Sequence, residues 1–191
     1  ATAGSTNAAL HLPAIAHEAG VAFDLEEFEA ASANTPVIAD LKPGGRYTAA
    51  EMFQQGGTAL VAQALIAAGL IEDIPTVAGR SFFADANAAT TSPTQDVVRP
   101  VSDPIKPRGG YSILYGDLAP EGCIVKLAGH GREKHTGPAR VFDSEDAAFA
   151  AVQAREIRAG DVVVIRFEGP VGGPGMREML AVTAALGGQG L

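Results

Sequence analysis

A glycine-rich segment near the end of the sequence has the residue types best suited to chemistry. It follows the apolar run 162–167, reads Glu168-Gly-Pro-Val-Gly-Gly-Pro-Gly-Met-Arg-Glu-Met, and leads into a helical pattern over 176–186. Glycines between a buried strand and a helix let backbone amides approach a ligand, and the positive end of the helix dipole favours an anion. The carboxylate of Glu178, at the same entrance, can hold a hard cation such as Mg²⁺. The segment therefore predicts a site for an anionic group and a divalent cation.

The same spacing also fits a simpler interpretation. The glycines can form only a tight turn, and Glu178 can merely complement the helix dipole. Two nucleotide-binding motifs are excluded: no G-x-x-x-x-G-K-S/T is present, and Gly173-Pro-Gly-Met-Arg-Glu lacks the third glycine of the dinucleotide fingerprint. Spacing alone leaves the ligand site and the plain turn as alternatives.

A second polar segment, Gly4-Ser-Thr-Asn, precedes the first helical pattern. The hydroxyls of Ser5 and Thr6 and the amide of Asn7 are able to contact a polar substrate. A serine or threonine before a helix is also a common N-cap, which needs no ligand. We therefore carry these three residues as candidate substrate-binding residues, with capping as the simpler alternative.

The histidines and the single cysteine give weaker signals. His130 and His135 are five positions apart, a spacing that does not place both on one helical face, so a solvated loop is favoured over a metal site. We expect His11 and His17 to lie on the first helix, either at its surface or with their ring nitrogens satisfied by a partner. Cys123 stands among apolar neighbours, which predicts an inert, buried thiol.

The elements that position these residues follow from hydrophobic periodicity. Pro13 is expected to kink or restart the first helix, Gly20 and Gly69 to end helices, and Thr48 to form a capping box with Glu51. The predicted helices cover 8–19, 24–32, 48–55, 60–68 and 144–155, and the predicted strands cover 112–115, 123–127, 139–142 and 162–167. The last strand is apolar enough to be buried on both faces.

Composition bounds the possible functions of the chain. Its 191 residues carry 22 acidic and 14 Lys and Arg side chains, for a formal net charge of −8, which argues against nucleic-acid binding. No apolar run is long enough to cross a membrane, and no signal peptide is recognisable at the start. One cysteine permits no internal disulfide and no iron–sulfur cluster held by this chain alone. These features are typical of part of a soluble, cytoplasmic enzyme.

The pattern changes from helical to strand-like along a proline-rich stretch. Prolines recur through 84–110 without periodicity, which is typical of a boundary between packed units. The sequence thus predicts an α/β protein with a mainly helical part at 1–99, a linker at 100–108 and a mixed α and β domain at 109–191.

Five stretches together resemble the dihydroxy-acid and phosphogluconate dehydratase family. They are Gly4-Ser-Thr-Asn-Ala with the helix that follows, Ala39-Asp-Leu-Lys-Pro-Gly-Gly, Leu118-Ala-Pro-Glu-Gly, Gly137-Pro-Ala-Arg-Val-Phe-Asp-Ser-Glu, and Gly160-Asp-Val-Val-Val-Ile-Arg-Phe-Glu-Gly-Pro-Val-Gly-Gly-Pro-Gly-Met-Arg-Glu-Met. The resemblance runs from Gly4 to the last residue. The form of the glycine-rich string favours the dihydroxy-acid and sugar-acid branches over the phosphogluconate branch.

The resemblance implies an enzyme that removes water from a 2,3-dihydroxy acid to give an enol and then a 2-oxo acid, as in branched-chain amino-acid synthesis. It implies an iron–sulfur cluster as Lewis acid, a serine alkoxide as base and Mg²⁺ bound in part by Glu178. Cluster cysteines and the other Mg²⁺ ligands are expected before this stretch, and the catalytic serine after Leu191.

The same resemblance implies an incomplete chain in its fold and activity. The first part would belong to a larger α/β domain, and the second to a truncated, swivelling β/β/α barrel-like domain. We expect no dehydratase activity from these residues alone, and a homodimer for the longer parent. A sugar-acid (aldonate) dehydratase and a non-catalytic anion-binding module that retains the fold stay as alternatives.

Overall fold

The computed structural model describes residues 1–42, 44–127, 134–169 and 179–191. The chain divides into two compact units, residues 1–130 and residues 131–191. Over the described ranges there are seven helices and four strands, so the mixed α/β class is confirmed. No helix in those ranges is long and apolar enough to cross a membrane.

The first unit consists of five helices followed by a β-hairpin. Its elements are α1 (Asn7–Glu18), α2 (Leu25–Asn34), α3 (Ala49–Gln55), α4 (Thr58–Ala67), α5 (Phe82–Ala88), β1 (Tyr111–Gly116) and β2 (Ala119–Lys126). The two strands are antiparallel, with Ile113 opposite Ile124 and a bulge between Leu114 and Gly116. Helix α2 packs against β1, which places the hairpin beside the segment that leads into α1.

Two apolar clusters hold this unit together. In the smaller cluster the rings of Phe28 and Tyr111 lie 5.5 Å apart, so α2 is locked onto β1. The larger cluster gathers residues from α3, α4 and the extended segments beside them, namely Ile38, Ala39, Met52, Leu60, Val61, Leu65, Val97 and Val98. Single antiparallel bridges join Val37 to Lys106 and Ala39 to Val98. The stretch 37–39 is therefore fixed from both sides, and it carries the loop that begins at Asp40.

Helix starts in this unit follow the predicted capping chemistry. The hydroxyl of Thr48 accepts a hydrogen bond from the backbone N–H of Glu51, and the Glu51 carboxylate accepts one in return from the N–H of Thr48. The capping box predicted for α3 is thus confirmed. Gly20 and Gly69 have φ angles of +69° and +67°, the left-handed conformation expected of residues that end helices.

The second unit contains β3 (Ala139–Phe142), α6 (Glu145–Gln153), β4 (Val162–Ile165) and α7 (Leu180–Gly188). Strands β3 and β4 are parallel and in register, and α6 connects them. Helix α6 packs on α7 and on both strands around the buried residues Ala148, Ala151, Val152, Ile157 and Val182. Ser144 caps α6, as predicted, because its hydroxyl accepts from the N–H of Ala147.

Four details differ from the sequence-based expectation. Helix α1 runs through Pro13 without a restart, since a single missing N–H does not end it. The predicted strand 162–167 is only half-buried over its four strand residues, because β3 is its one partner among the residues described. Cys123 is exposed rather than buried, because it lies on the open side of β2. Helix α5 was missed, because small residues such as Ala84 give no strong helical period.

Candidate functional site

The predicted Mg²⁺ ligand lies outside the part of the chain that the structure describes. Glu178 belongs to residues 170–178, between the segment that ends at Gly169 and the start of α7. On the near side of this gap, the carboxylate of Glu168 accepts a hydrogen bond of 2.7 Å from the backbone N–H of Glu145, the first residue of α6. Glu168 therefore stabilises the start of α6, and the metal role of Glu178 stays a prediction.

The three candidate substrate-binding residues lie at the start of α1. Thr6 occupies the N-cap position but its side chain makes no capping hydrogen bond. The exposed hydroxyl of Ser5 accepts from the N–H of Asn7 at 3.3 Å, a loose form of the capping that the sequence offered as the simpler alternative. The N–H groups of Ala8 and Ala9 donate to the carbonyls of Ser5 and Thr6. The polar groups left over for a ligand here are thus chiefly the hydroxyls.

The β-hairpin holds the backbone just before α1. The hydroxyl of Tyr111 donates to the carbonyl of Ala3 at 3.2 Å, and the ammonium of Lys126 donates to the carbonyl of Gly4 at 2.9 Å. A Cβ atom on Gly4 would lie 2.8 Å from the Tyr111 hydroxyl, so a side chain at this position would force that hydroxyl to shift. Ala3 has a φ of +54°, a left-handed conformation that is strained for a residue with a side chain. The hydrogen bonds from the hairpin therefore hold the backbone of this segment in place, including the left-handed conformation of Ala3.

A small cavity beside this segment was not predicted from the sequence. Its volume is about 60 Å³, and the residues that line it include Gly4, Asp40, Lys42, Gly45, Lys106 and Lys126. The stretch Ala39-Asp-Leu-Lys-Pro-Gly-Gly, which carried part of the family resemblance, supplies one wall. Spacing could not reveal the cavity, because its residues come together only through the hairpin and the bridges of residues 37–39.

Asp40, in the wall of this cavity, has a carboxylate that is strongly hydrogen-bonded. Asp40 accepts hydrogen bonds from the backbone N–H of Arg46, at 3.0 Å, and from the guanidinium of the same residue. The hydrogen bond from the Arg46 side chain is the main cause that lowers the pKa of Asp40 below its ordinary value. Asp40 is therefore ionised at neutral pH, and its charge is already paired.

The histidines of the described ranges belong to no cluster that could hold a metal ion. His11 and His17 are exposed on α1, which confirms their expected surface position. His130 lies outside the described ranges, while a ring nitrogen of exposed His135 lies 2.9 Å from the carbonyl oxygen of Gly160. No group of three or more His, Cys, Asp or Glu side chains with metal-binding geometry occurs among the residues described.

Comparison with known proteins defines the class of the chain. The family model for the N-terminal part of dihydroxy-acid/6-phosphogluconate dehydratases matches residues 1–85, and the model for their C-terminal part matches residues 96–191. The chain belongs to this dehydratase family. The resemblance noted in the sequence is thereby confirmed over nearly the whole length.

Individual relatives agree with this family membership. The chain is 55% identical over 98% of its length to a dihydroxy-acid dehydratase of Koribacter versatilis and 54% identical over its full length to one of Roseiflexus castenholzii. A dihydroxy-acid dehydratase of Thermus thermophilus is 53% identical over the full length of the chain. The matched regions are 33%, 34% and 35% of these relatives, so the chain spans about a third of their length.

Proposed function

We propose that this chain is part of a hydro-lyase that converts a 2,3-dihydroxy-carboxylic acid to a 2-oxo acid by loss of water, in branched-chain amino-acid synthesis. The similarity to proteins named dihydroxy-acid dehydratase, at about 55% identity across the chain, is the observation that carries this proposal. A sugar-acid dehydratase that acts on an aldonate is the second candidate within the same chemistry.

Ser5, Thr6 and Asn7 are proposed to bind the hydroxy-acid substrate through its oxygen atoms. The Ser5 hydroxyl is exposed and the Thr6 hydroxyl is not used in capping. Helix α1 has no acidic residue in its first turn, so the positive end of its dipole is not neutralised there and favours a carboxylate nearby. The hydrogen bonds from Tyr111 and Lys126 to the preceding carbonyls support this assignment, since a substrate site needs a fixed backbone.

Mg²⁺ and an iron–sulfur cluster are the proposed cofactors of the whole enzyme. This chain has a candidate ligand for Mg²⁺ but not the cysteines that a cluster needs. Glu178 is proposed to contribute one carboxylate ligand to Mg²⁺, which would hold and polarise substrate oxygens when bound. The chain's one cysteine, Cys123, cannot hold a cluster alone and lies exposed on β2. We therefore assign no residue of this chain to the cluster and none to the catalytic base, a serine expected beyond Leu191.

The larger organisation is likewise proposed rather than observed. We infer a mainly helical part at 1–99, a linker at 100–108, and at 109–191 part of a swivelling β/β/α barrel-like domain. The parallel pair β3 and β4, with α6 and α7 packed beside it, is compatible with a fragment of such a domain. We also propose that the longer parent is a homodimer.

Substrate trials on the complete protein that contains this chain test the proposed reaction. Anaerobically purified protein, supplied with Mg²⁺, is incubated with a branched 2,3-dihydroxy acid or with an aldonate, and the 2-oxo acid is measured. Turnover of the branched acid is expected. Preference for the aldonate would move the assignment to the second candidate. Failure with both, in protein that carries an intact cluster, would favour the non-catalytic anion-binding module.

A carboxylate variant tests the role of Glu178 in the same protein. Glu178→Gln is expected to weaken Mg²⁺ binding about 10-fold or more, measured by calorimetry, and to lower turnover with it. Glu72→Gln, which changes an exposed glutamate of the first unit, is the matched control and is expected to change neither. Equal Mg²⁺ affinity in both variants would show that Glu178 is not a ligand.

A further inference from the structure

The chain concentrates its lysines at one place. It has four lysines in all, and Lys42, Lys106 and Lys126 line the small cavity beside the segment before α1. The fourth, Lys134, lies in the second unit. Such a gathering of positive charge is notable in a chain of net charge −8.

The ammonium groups at the cavity keep donors to spare. Lys106 donates one hydrogen bond, of 2.8 Å, to the carbonyl of Leu127, and Lys126 donates one, of 2.9 Å, to the carbonyl of Gly4. An ammonium has three donors, so each retains two beyond the bond that positions it. The backbone N–H of Lys42 donates to the carbonyl of Tyr47, but its exposed ammonium makes no hydrogen bond or ion pair with the part of the chain that the structure describes.

Neighbouring carboxylates balance only part of this positive charge. Hydrogen bonds from Thr48 and, to a smaller extent, the charge of Lys42 lower the pKa of Glu51, so Lys42 acts on that carboxylate. Among the described residues of the cavity wall, Asp40 alone is acidic, and Arg46 already engages it. Every ion pair found over the described ranges uses an arginine, at Arg46, Arg80, Arg99 and Arg166. No lysine of the cavity wall forms an ion pair with a described carboxylate.

We propose that this cavity is a binding site for a small oxyanion, held by Lys42, Lys106 and Lys126. A carboxylate or an inorganic phosphate supplies several acceptor oxygens for ammonium donors, and the cavity of about 60 Å³ suits one such group rather than a large ligand. Gly44 and Gly45 also line the cavity. The proposal goes beyond the dehydratase assignment, which gives these lysines no role.

A purely structural role explains only part of this arrangement. Lys106 and Lys126 each join two separate backbone segments, and that contact alone justifies a lysine at either position. It does not explain Lys42, whose ammonium donates to no described backbone carbonyl and whose charge acts on Glu51 without an ion pair. The two interpretations differ in what Lys42 does, and this difference makes them separable.

Nuclear magnetic resonance titration of this 191-residue chain tests the proposal. Inorganic phosphate and a 2,3-dihydroxy acid are added in separate arms at low salt, and amide shifts of Gly4, Gly44 and Gly45 are followed. Saturable shifts are expected in at least one arm, weakened by 0.5 M NaCl because salt screens the ammonium charges. Lys42→Gln is expected to weaken binding about threefold or more, and Lys134→Gln to leave it unchanged.

The variants also guard against a loss of fold. Lys42→Gln removes no observed hydrogen bond, so its spectrum should match that of the original chain away from the cavity. Lys126→Arg keeps the charge and is expected to retain binding, whereas Lys126→Gln should lose it. Binding of phosphate alone supports the site and excludes the hydroxy acid as its occupant, without bearing on turnover by the complete protein. Absence of saturable shifts in both arms, or equal affinity in the Lys42 and Lys134 variants, would overturn the proposal.

Discussion

The ammonium of Lys126 and the carbonyl oxygen of Gly4 are 2.9 Å apart, although the two residues are 122 positions apart in the sequence. This hydrogen bond ties the end of β2 to the segment before α1. Together with the bond from Tyr111 to Ala3, it places the proposed substrate-binding residues on a backbone that the hairpin fixes.

Lys126→Met is expected to loosen this connection. The free energy of unfolding should fall by about 0.5–1 kcal/mol, since one hydrogen bond to a partly exposed ammonium is lost while the aliphatic stem is kept. Urea unfolding measures the change, and amide exchange of Ser5 and Asn7 should accelerate. Lys134→Met, a change at an exposed lysine of the second unit, serves as the control. Equal effects of the two substitutions would contradict a specific role for Lys126.

Gly45→Ala is expected to destabilise the first unit strongly. A Cβ atom at this position would lie 2.4 Å from the carbonyl carbon of Asp40 and 2.6 Å from the backbone nitrogen of Leu41. Both are main-chain atoms that cannot rotate away, so we expect a loss of about 1–3 kcal/mol in the free energy of unfolding. Gly116→Ala, where an added Cβ meets nothing within 4 Å, should cost much less. A thermal melt of each variant checks the difference.

Thr48→Ala should weaken α3 by removing half of its capping box. The Thr48 hydroxyl accepts from the N–H of Glu51, and its loss is expected to cost about 1 kcal/mol. Thr58→Ala is a matched control, because Thr58 is an exposed threonine at the first position of α4 without a capping role. Chemical unfolding compares the two variants, and a cost of Thr58→Ala as large as that of Thr48→Ala would argue against the cap.

Asp40→Asn should make stability less dependent on pH in the acid range. Arg46 lowers the pKa of Asp40 in the folded state, so this carboxylate stabilises the fold above its unfolded pKa, about 3.8, and the contribution is lost as the pH falls through the folded value. The pair is partly exposed, so the variant should lose at most about 1 kcal/mol at pH 7. The difference in the free energy of unfolding between the variant and the original chain should disappear below the pKa of Asp40.

The control for this pH profile is Asp117→Asn, which changes an exposed aspartate between β1 and β2 that makes no hydrogen bond with the described residues. The free energy of unfolding of this variant should differ little from that of the original chain at pH 7, because no described hydrogen bond is removed. If the stability difference between Asp40→Asn and the original chain persists unchanged at pH 2.5, the asparagine acts through packing rather than through charge.

Local sequence patterns predicted the helices and strands well, but they predicted the solvent exposure of individual residues poorly. Thr48 and Ser144 predicted the caps of α3 and α6, and the run 139–142 predicted strand β3. Caps and short apolar runs depend on neighbours in sequence, so local patterns identify them. Exposure depends on distant partners. Cys123 was expected to be buried from its apolar neighbours, but it lies on the open side of a two-stranded hairpin.

The candidate sites were likewise predicted only where residues that are neighbours in the sequence define them. The start of α1 and its polar residues were predicted from sequence, whereas the cavity that gathers Lys42, Lys106 and Lys126 was not. No spacing links these three lysines, because the β-hairpin and the bridges of Val37 and Ala39 bring them together. Glu178 was identified from its glycine-rich context and the family resemblance, and its role stays a prediction.

The clustering of lysines also has a practical consequence for handling the protein. Amine-directed reagents, such as activated esters used for labelling or for attachment to beads, will modify the cavity wall at up to three sites and will reach only Lys134 elsewhere among side-chain amines. Fluorescent or immobilised preparations made in this way would therefore carry a blocked cavity. A thiol-directed dye on exposed Cys123 gives a single attachment point that leaves the lysine amines unmodified.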